Sequence, residues 1–173
     1  AMYSGLYKHD VQMMQEILKG YHVQPNITLG ETFEGVSGVC DNNEMEMLLQ
    51  IIYLLFEHPR FDQNDFEKFV YLNRLQAENT PRTVNDPIAE QMQKLRVKDS
   101  PRLWKQDAKF YDAMNYDKMV SIYHDRFQDA SDFTFYLVGN IQREEAQKLV
   151  AKYLGAIPSI HRIEKAVQHD LRK

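Results

Sequence analysis

The sequence predicts an α+β fold: an antiparallel or mixed sheet covered by several helices. Two observations carry this. The stretches with strand character, 22–29, 32–40 and 133–138, are few and are separated by runs of helical periodicity, so strands and helices do not alternate one for one. The chain has 173 residues, 43% of them hydrophobic and 27% charged, close to globular averages. A chain of this size buries about 70% of its unfolded surface, enough for a true core.

Each element follows from caps and periodicity. From His9 to Leu18, apolar residues fall at Val11, Met14, Ile17 and Leu18, with Asp10 as N-cap and Gly20 as stop. Val23, Pro25, Ile27 and Leu29 alternate with polar residues, and Phe33, Val36 and Val39 do so less strictly, giving two strands around Gly30-Glu31. Pro25 puts the first strand near a sheet edge, because proline cannot donate to a ladder. Asp41-Asn42-Asn43 opens a helix reaching about Glu57, with Met45, Leu48, Leu49, Ile52, Leu55 and Phe56 on one broad apolar face and Pro59 as its end. Asp62 caps a second helix with Phe66, Phe69, Val70 and Leu75 inward, and Asn85 with Pro87 starts a third carrying Ile88, Met92 and Leu95. Ser100-Pro101 reads as a further helix start. Asn115 caps a helix bearing Met119, Val120, Ile122, Tyr123 and Phe127. Phe133–Val138 is a near-continuous apolar run, which predicts a central strand covered on both faces. Glu144 to Tyr153 forms an amphipathic helix stopped by Gly155. These elements make one α+β domain over 1–159, with 160–173 as a linker or tail.

Charge and composition exclude several functions. The net charge is −4, from 21 basic and 25 acidic residues, with no basic stripe to meet nucleic-acid phosphates. A single cysteine, Cys40, rules out an intramolecular disulfide and reads as a small apolar strand residue rather than a nucleophile. No apolar run approaches the roughly 18 residues of a membrane span, and no signal-peptide pattern opens the chain. Ala1-Met2 reads as two residues left ahead of a chosen start, which would make the chain a piece of a longer protein.

The motifs give no catalytic residue, no metal ligand and no assignable substrate-binding residue. A strand, Gly139-Asn140 and then a helix could form an anion site, but a phosphate loop wants several glycines, and Glu144 and Glu145 would repel an anion. A structural turn is the preferred reading. The histidines, His9, His22, His58, His124, His161 and His169, show neither His-x-x-x-His nor His-x-x-Glu-His spacing. A site assembled from histidines distant in sequence stays open at this point. No Gly-x-Ser-x-Gly is present. Ten tyrosines and nine phenylalanines fall mostly on helix faces, without the basic neighbours that base stacking needs.

Three segments together resemble a known family. They are "EHPRFDQNDFEKF" (Glu57 to Phe69), "YHDRFQDASDFTFYLVGNI" (Tyr123 to Ile141) and "AQKLVAKYLGAIPS" (Ala146 to Ser159). In this order they resemble a domain of the zinc metallopeptidases of the insulinase–pitrilysin family, which includes the mitochondrial processing peptidases, and above all of bacterial zinc-protease chains. The resemblance runs from about Gly5 to Ser159. It implies repeated α+β domains forming two halves around a closed chamber. In such proteins the first domain binds zinc through an inverted His-x-x-Glu-His motif whose glutamate activates water. This sequence has no such motif. Glu78 lies roughly where an acidic ligand would be sought, but without the two histidines it has nothing to complete. The resemblance therefore implies the non-catalytic third domain, inactive alone and without a cofactor, with zinc in the catalytic domain of the parent protein. Its partners would be the other domains of that chain and peptide substrate. A full domain of the family carries further strands and a helix ahead of Gly5, so a sheet edge here should be exposed, and a homodimer through that edge is expected. The alternative is a structural subunit or peptide-binding scaffold with no protease partner, as family relatives in respiratory complexes are. Exported bacterial relatives point to the periplasm for the parent protein, though nothing in the residues decides the compartment.

Overall fold

The computed structural model describes residues 4–30, 33–81, 83–97, 105–127, 129–162 and 165. In chain order the elements are β1 (Gly5–Leu6), β2 (His9–Asp10), α1 (Val11–Ile17), β3 (Gln24–Leu29), β4 (Glu34–Val39), α2 (Met45–Glu57), β5 (Pro59–Arg60), α3 (Gln63–Asn79), α4 (Asp86–Val97), α5 (Ala108–Asp112), α6 (Tyr116–Phe127) and α7 (Arg143–Tyr153). Short 3-10 turns cover Asn42–Glu44, Ala130–Asp132 and Leu154–Ala156. The α+β class is borne out, with small antiparallel sheets. The helix start at Ser100-Pro101, His169 and Ala1-Met2 lie outside the described residues. Packing divides the chain into two compact units, residues 1–62 with 117–164 and residues 63–116 with 165–173.

The first unit is built on α2. Asp41, in extended conformation, leads into the 3-10 turn and then the helix. Leu48, Leu49, Ile51, Ile52, Leu55 and Phe56 are all buried. Each such side chain contributes about 1.5–3 kcal/mol when fully buried, so this one helix organises the core. The β3–β4 hairpin packs against it, pairing antiparallel from Gln24↔Val39 to Leu29↔Glu34. Gly38 permits that approach, because a Cβ there would run into the Leu48 side chain. From α7, the Lys152 ammonium lies 2.7 Å from a Glu46 carboxylate oxygen, to which the Tyr153 hydroxyl donates at 3.0 Å. Asp10 caps α1 as its sequence position suggests, accepting from the Met13 N–H at 2.8 Å.

A second, three-stranded sheet of order β2-β1-β5 has no counterpart in the sequence reading. Its strands are two residues long, too short to show periodicity. Gly5 makes the tight β1–β2 hairpin feasible: its φ is +139°, and a Cβ would collide with the His9 carbonyl. Leu6 is carried into the core.

The largest departure from expectation is Phe133–Val138. It is not a central strand. Phe133 is extended (φ −92°, ψ 138°), but no described strand lies beside this stretch to form a ladder with it. Phe133 and Phe135 pack on Phe56, with ring centroids 5.0 and 6.2 Å away, while Tyr136 and Val138 stand in solvent.

In the second unit, Tyr111 is the one buried hydrophobic among the described residues. The inward face expected for α3 is only half realised: Phe66, Val70 and Leu75 are half-buried, and Phe69 is exposed. Ile88, Met92 and Leu95 of α4 are exposed too. An apolar stripe buries only where a second face meets it. Here α5 packs on α3, where Arg74 bridges Glu78 and Asp112 at 3.0 and 2.9 Å.

Candidate functional site

The Gly139-Asn140 turn is exposed and leads from the extended segment to α7. No described atom lies within 4 Å of where a Gly139 Cβ would stand, so no close backbone approach calls for glycine there. Gln142 precedes α7 without a side-chain capping bond, and Glu144 and Glu145 occupy the first turn. Their charges favour the helix dipole and disfavour an anion. The turn reverses the chain and builds no cradle.

The described histidines are dispersed. His9 Nδ1 lies 2.9 Å from Met13 Sδ. His58 sits against the rings of Tyr7 and Tyr53, and His124 against Phe61 and Tyr123. His161 follows the 3-10 turn at φ +57°. His22 alone meets carboxylates: its Nδ1 is 2.9 Å from Asp41 Oδ2, and its backbone N–H donates to Glu44 Oε2 at 2.8 Å. Among the described residues this is the one group of three whose ligand atoms, all within 4.8 Å of one another, have metal-binding character. The His22 and Asp41 side chains are 78% and 61% exposed, and both carboxylates already accept hydrogen bonds. The arrangement ties the entrance of β3 to the turn before α2. Next to it, burial, then Glu44 and Asp41, push the Cys40 thiol up, which keeps it protonated and unreactive. Glu78 is engaged by Arg74 and belongs to no metal-competent group among the described residues.

One carboxylate is organised far more tightly, and the sequence reading missed it. Asp129 is buried and accepts from the Ser131 hydroxyl, from the Ser131 and Ile160 N–H groups at 3.0 Å each, and from the Arg162 N–H at 3.3 Å. The Ala130 N–H donates to the Pro158 carbonyl at 2.9 Å, and Arg162 clasps Asp125 through both terminal nitrogens. Asp129 is thus the clip that binds residues 158–162 to the end of α6. The Ser131 hydroxyl above all, helped by the three N–H groups and opposed by desolvation, lowers its carboxyl from 3.8 to about 2. The folded-state value lies below the unfolded one, so the stabilisation is complete above about pH 4 and is lost as pH falls toward 2. An Asp129→Asn variant should unfold at a lower temperature at pH 7 and show a flatter melting-temperature profile between about pH 4 and pH 2. Coincident wild-type and variant profiles would remove this role for Asp129.

What remains as a site is open strand edge. The β3–β4 hairpin is a two-stranded sheet with no third strand among the described residues, and Val39, at the end of its ladder, and Phe33, just before β4, are exposed. Phe133 begins an apolar run, Phe133–Val138, that has no partner strand among the described residues. Backbone edges of this kind recognise extended chains by adding a strand.

Comparison with known proteins locates this architecture. Residues 113–172 match the family model for the peptidase M16 inactive domain. No curated protein matches the chain. Among solved structures it is similar to the ferredoxin protease FusC, determined in complex with Arabidopsis ferredoxin, with a TM-score of 0.77 and 18% identity, over 98% of this chain and 18% of that one. The periplasmic protease PqqL from Escherichia coli gives 0.74 and 18% identity, over 90% of this chain and 17% of that one. A peptidase M16 inactive domain from Pseudomonas fluorescens gives 0.71 and 16% identity, over 96% of this chain and 41% of that one. The chain spans less than half the length of each. The resemblance to a non-catalytic domain of the insulinase–pitrilysin family is thereby borne out: residues 113–172 match the M16 inactive domain, and nearly the whole chain shares the fold of M16 proteins.

Proposed function

We propose that this chain serves as a non-catalytic domain of a zinc metallopeptidase. There it forms part of the wall of the substrate chamber, docks the other domains of the parent chain and helps to hold extended peptide. The match of residues 113–172 to the inactive domain carries this reading. The exposed hairpin edge at β3–β4 supports the peptide-holding part, since main-chain hydrogen bonds along an edge bind an extended chain with little regard to its side chains. Zinc and the water-activating glutamate belong to the catalytic domain of the parent protein, and this chain by itself performs no hydrolysis.

The test is metal content by elemental analysis together with cleavage of a quenched-fluorescence peptide, both on the chain as purified. We expect no stoichiometric zinc and no cleavage. Stoichiometric zinc accompanied by cleavage would overturn the reading and turn attention to His22, Asp41 and Glu44. For the peptide-holding part, an extended fluorescent peptide should gain anisotropy with the chain and lose that gain on Val39→Pro, which breaks the hairpin edge. We also read an open sheet edge as the place where two copies of the chain meet.

A further inference from the structure

We propose that His22, Asp41 and Glu44 form a weak site for a divalent cation of the zinc class, which clamps the entrance of β3 to the start of α2. The site is structural and does not rest on the peptidase-domain reading. Its first support is the donor set. One imidazole nitrogen and two carboxylate oxygens lie within 4.8 Å of one another, and His22 Nδ1 is 2.9 Å from Asp41 Oδ2. Zinc binds such atoms at about 2.0–2.2 Å in a tetrahedron, which sets them about 3.4 Å apart, so small side-chain rotations bring all three onto one ion. Water takes the fourth position. The set also selects the cation: calcium and magnesium want oxygen ligands alone and copper(I) wants sulfur, whereas imidazole with carboxylate suits zinc.

The second support is that both carboxylates forgo their ordinary work. Asp41 stands in extended conformation (φ −70°, ψ 155°) directly before the 3-10 turn, where an aspartate ordinarily caps, yet its side chain makes no capping bond. Glu44 stands directly before α2, and its side chain makes none either. Both turn to His22 instead. Neither meets a lysine or arginine among the described residues, so two like charges share one place with only an imidazole to offset them. A divalent cation relieves that repulsion.

The third support is orientation. The His22 backbone N–H donates to Glu44 Oε2 at 2.8 Å, which aims that carboxylate and leaves Oε1 open among the described residues. Asp41 keeps Oδ1 open in the same way. Bonds to a ligating group of this kind fix its direction ahead of the metal. The Glu44 N–H donates to the Asp41 carbonyl at 2.9 Å, so the turn locks the two acidic residues to each other. The His22 and Asp41 side chains are largely exposed, so zinc reaches them freely and leaves freely. The affinity is therefore micromolar, and the chain as purified, without added zinc, carries no stoichiometric amount of it.

Zinc chloride titrated into the chain should bind at one ion per chain with a micromolar Kd in calorimetry. His22→Ala and Glu44→Gln should each weaken binding at least tenfold, while His9→Ala, at a histidine outside the group, should leave it unchanged. Because the His22 side chain is exposed, His22→Ala should fold normally by circular dichroism. Saturating zinc should raise the melting temperature of the wild-type chain by a few degrees and leave that of His22→Ala unmoved. Zinc should also shield His22, and not His9, from diethylpyrocarbonate, read by mass spectrometry, which locates the site without any substitution. No binding at millimolar zinc, binding that His22→Ala leaves intact, or equal labelling of His22 with and without zinc would each overturn the proposal. So would one ion per two chains, since the cation would then bridge copies. Peptide cleavage is read separately. Zinc uptake at His22 without cleavage supports the site and leaves the non-catalytic reading standing, and a failure to take up zinc removes the site alone.

Discussion

Phe127→Ala should cost about 3–5 kcal/mol of folding free energy, the largest loss expected from a single side-chain truncation here. Phe127 is 0% exposed and sits at the centre of an aromatic cluster. Its ring lies 4.7 Å from Tyr123, 5.8 Å edge-on from Phe56 and 5.8 Å from Phe133. Truncation removes burial and opens a cavity whose walls come from α2, α6 and the extended segment. These walls are also held by Tyr123 and Phe56, so they cannot collapse freely, and the cost lies toward the upper end. Lost aromatic contacts add about 0.5–1.5 kcal/mol per pair to the area term. A domain of this size has about 5–15 kcal/mol in total, so the variant should lose about a fifth of its stability or more. Urea titration checks this as a fall in the transition midpoint at unchanged slope. Phe127→Leu, closer in volume, should lose distinctly less, and Tyr71→Ala, at an exposed position of α3, should stay within about 0.5 kcal/mol. A loss below about 1 kcal/mol for Phe127→Ala would mean that the cluster is loosely packed.

The same cluster shows what could be read in advance. The apolar face of α2 was legible from helical spacing, which marked five of its six buried residues and left out Ile51, and Asp10, Gly20 and Pro59 act where their chemistry places them. The β3–β4 hairpin was legible for the same reason, with period two instead. Phe133–Val138 shows the limit. Its residues report a local preference for extended backbone, which Phe133 adopts, but a ladder needs a partner, and nothing local encodes one. The helices α3 and α4 repeat that lesson: Phe69, Ile88 and Met92 mark apolar stripes correctly, while burial depends on a second surface. The two-residue strands β1, β2 and β5 carry no period at all. Asp129 was missed for a different reason. Its partners come from Ser131 and from the backbone of Ile160 and Arg162, and backbone donors leave no mark in a sequence. On the functional side, the lack of an inverted zinc motif was legible directly and an open sheet edge was expected, whereas which strands carry it came only with the structure.

Tyr123→Phe should cost about 1–3 kcal/mol although it removes one oxygen atom from the middle of α6. The reason lies in how α2 ends. In a continuing helix the Leu55 carbonyl would accept from the N–H four residues on, which is Pro59, and proline has none. Leu55 is 0% exposed, so water does not reach this carbonyl readily either. The Tyr123 hydroxyl, from 68 residues away in sequence, donates to it at 2.9 Å in a buried setting. The preceding carbonyl of Leu54 is satisfied locally by the His58 N–H at 2.8 Å, which marks Leu55 as the acceptor that depends on tertiary structure. Phenylalanine keeps the ring and its contacts with Phe61 and Phe127, so the substitution isolates the hydrogen bond from the packing. The loss should appear in the urea midpoint, and Tyr71→Phe on the exposed face of α3 should leave that midpoint unmoved. If both variants behave alike, water must be entering the end of α2 and replacing the hydroxyl. If only Tyr123→Phe is weakened, the proline that ends α2 and the tyrosine of α6 act as a pair, one withdrawing a donor and the other supplying it.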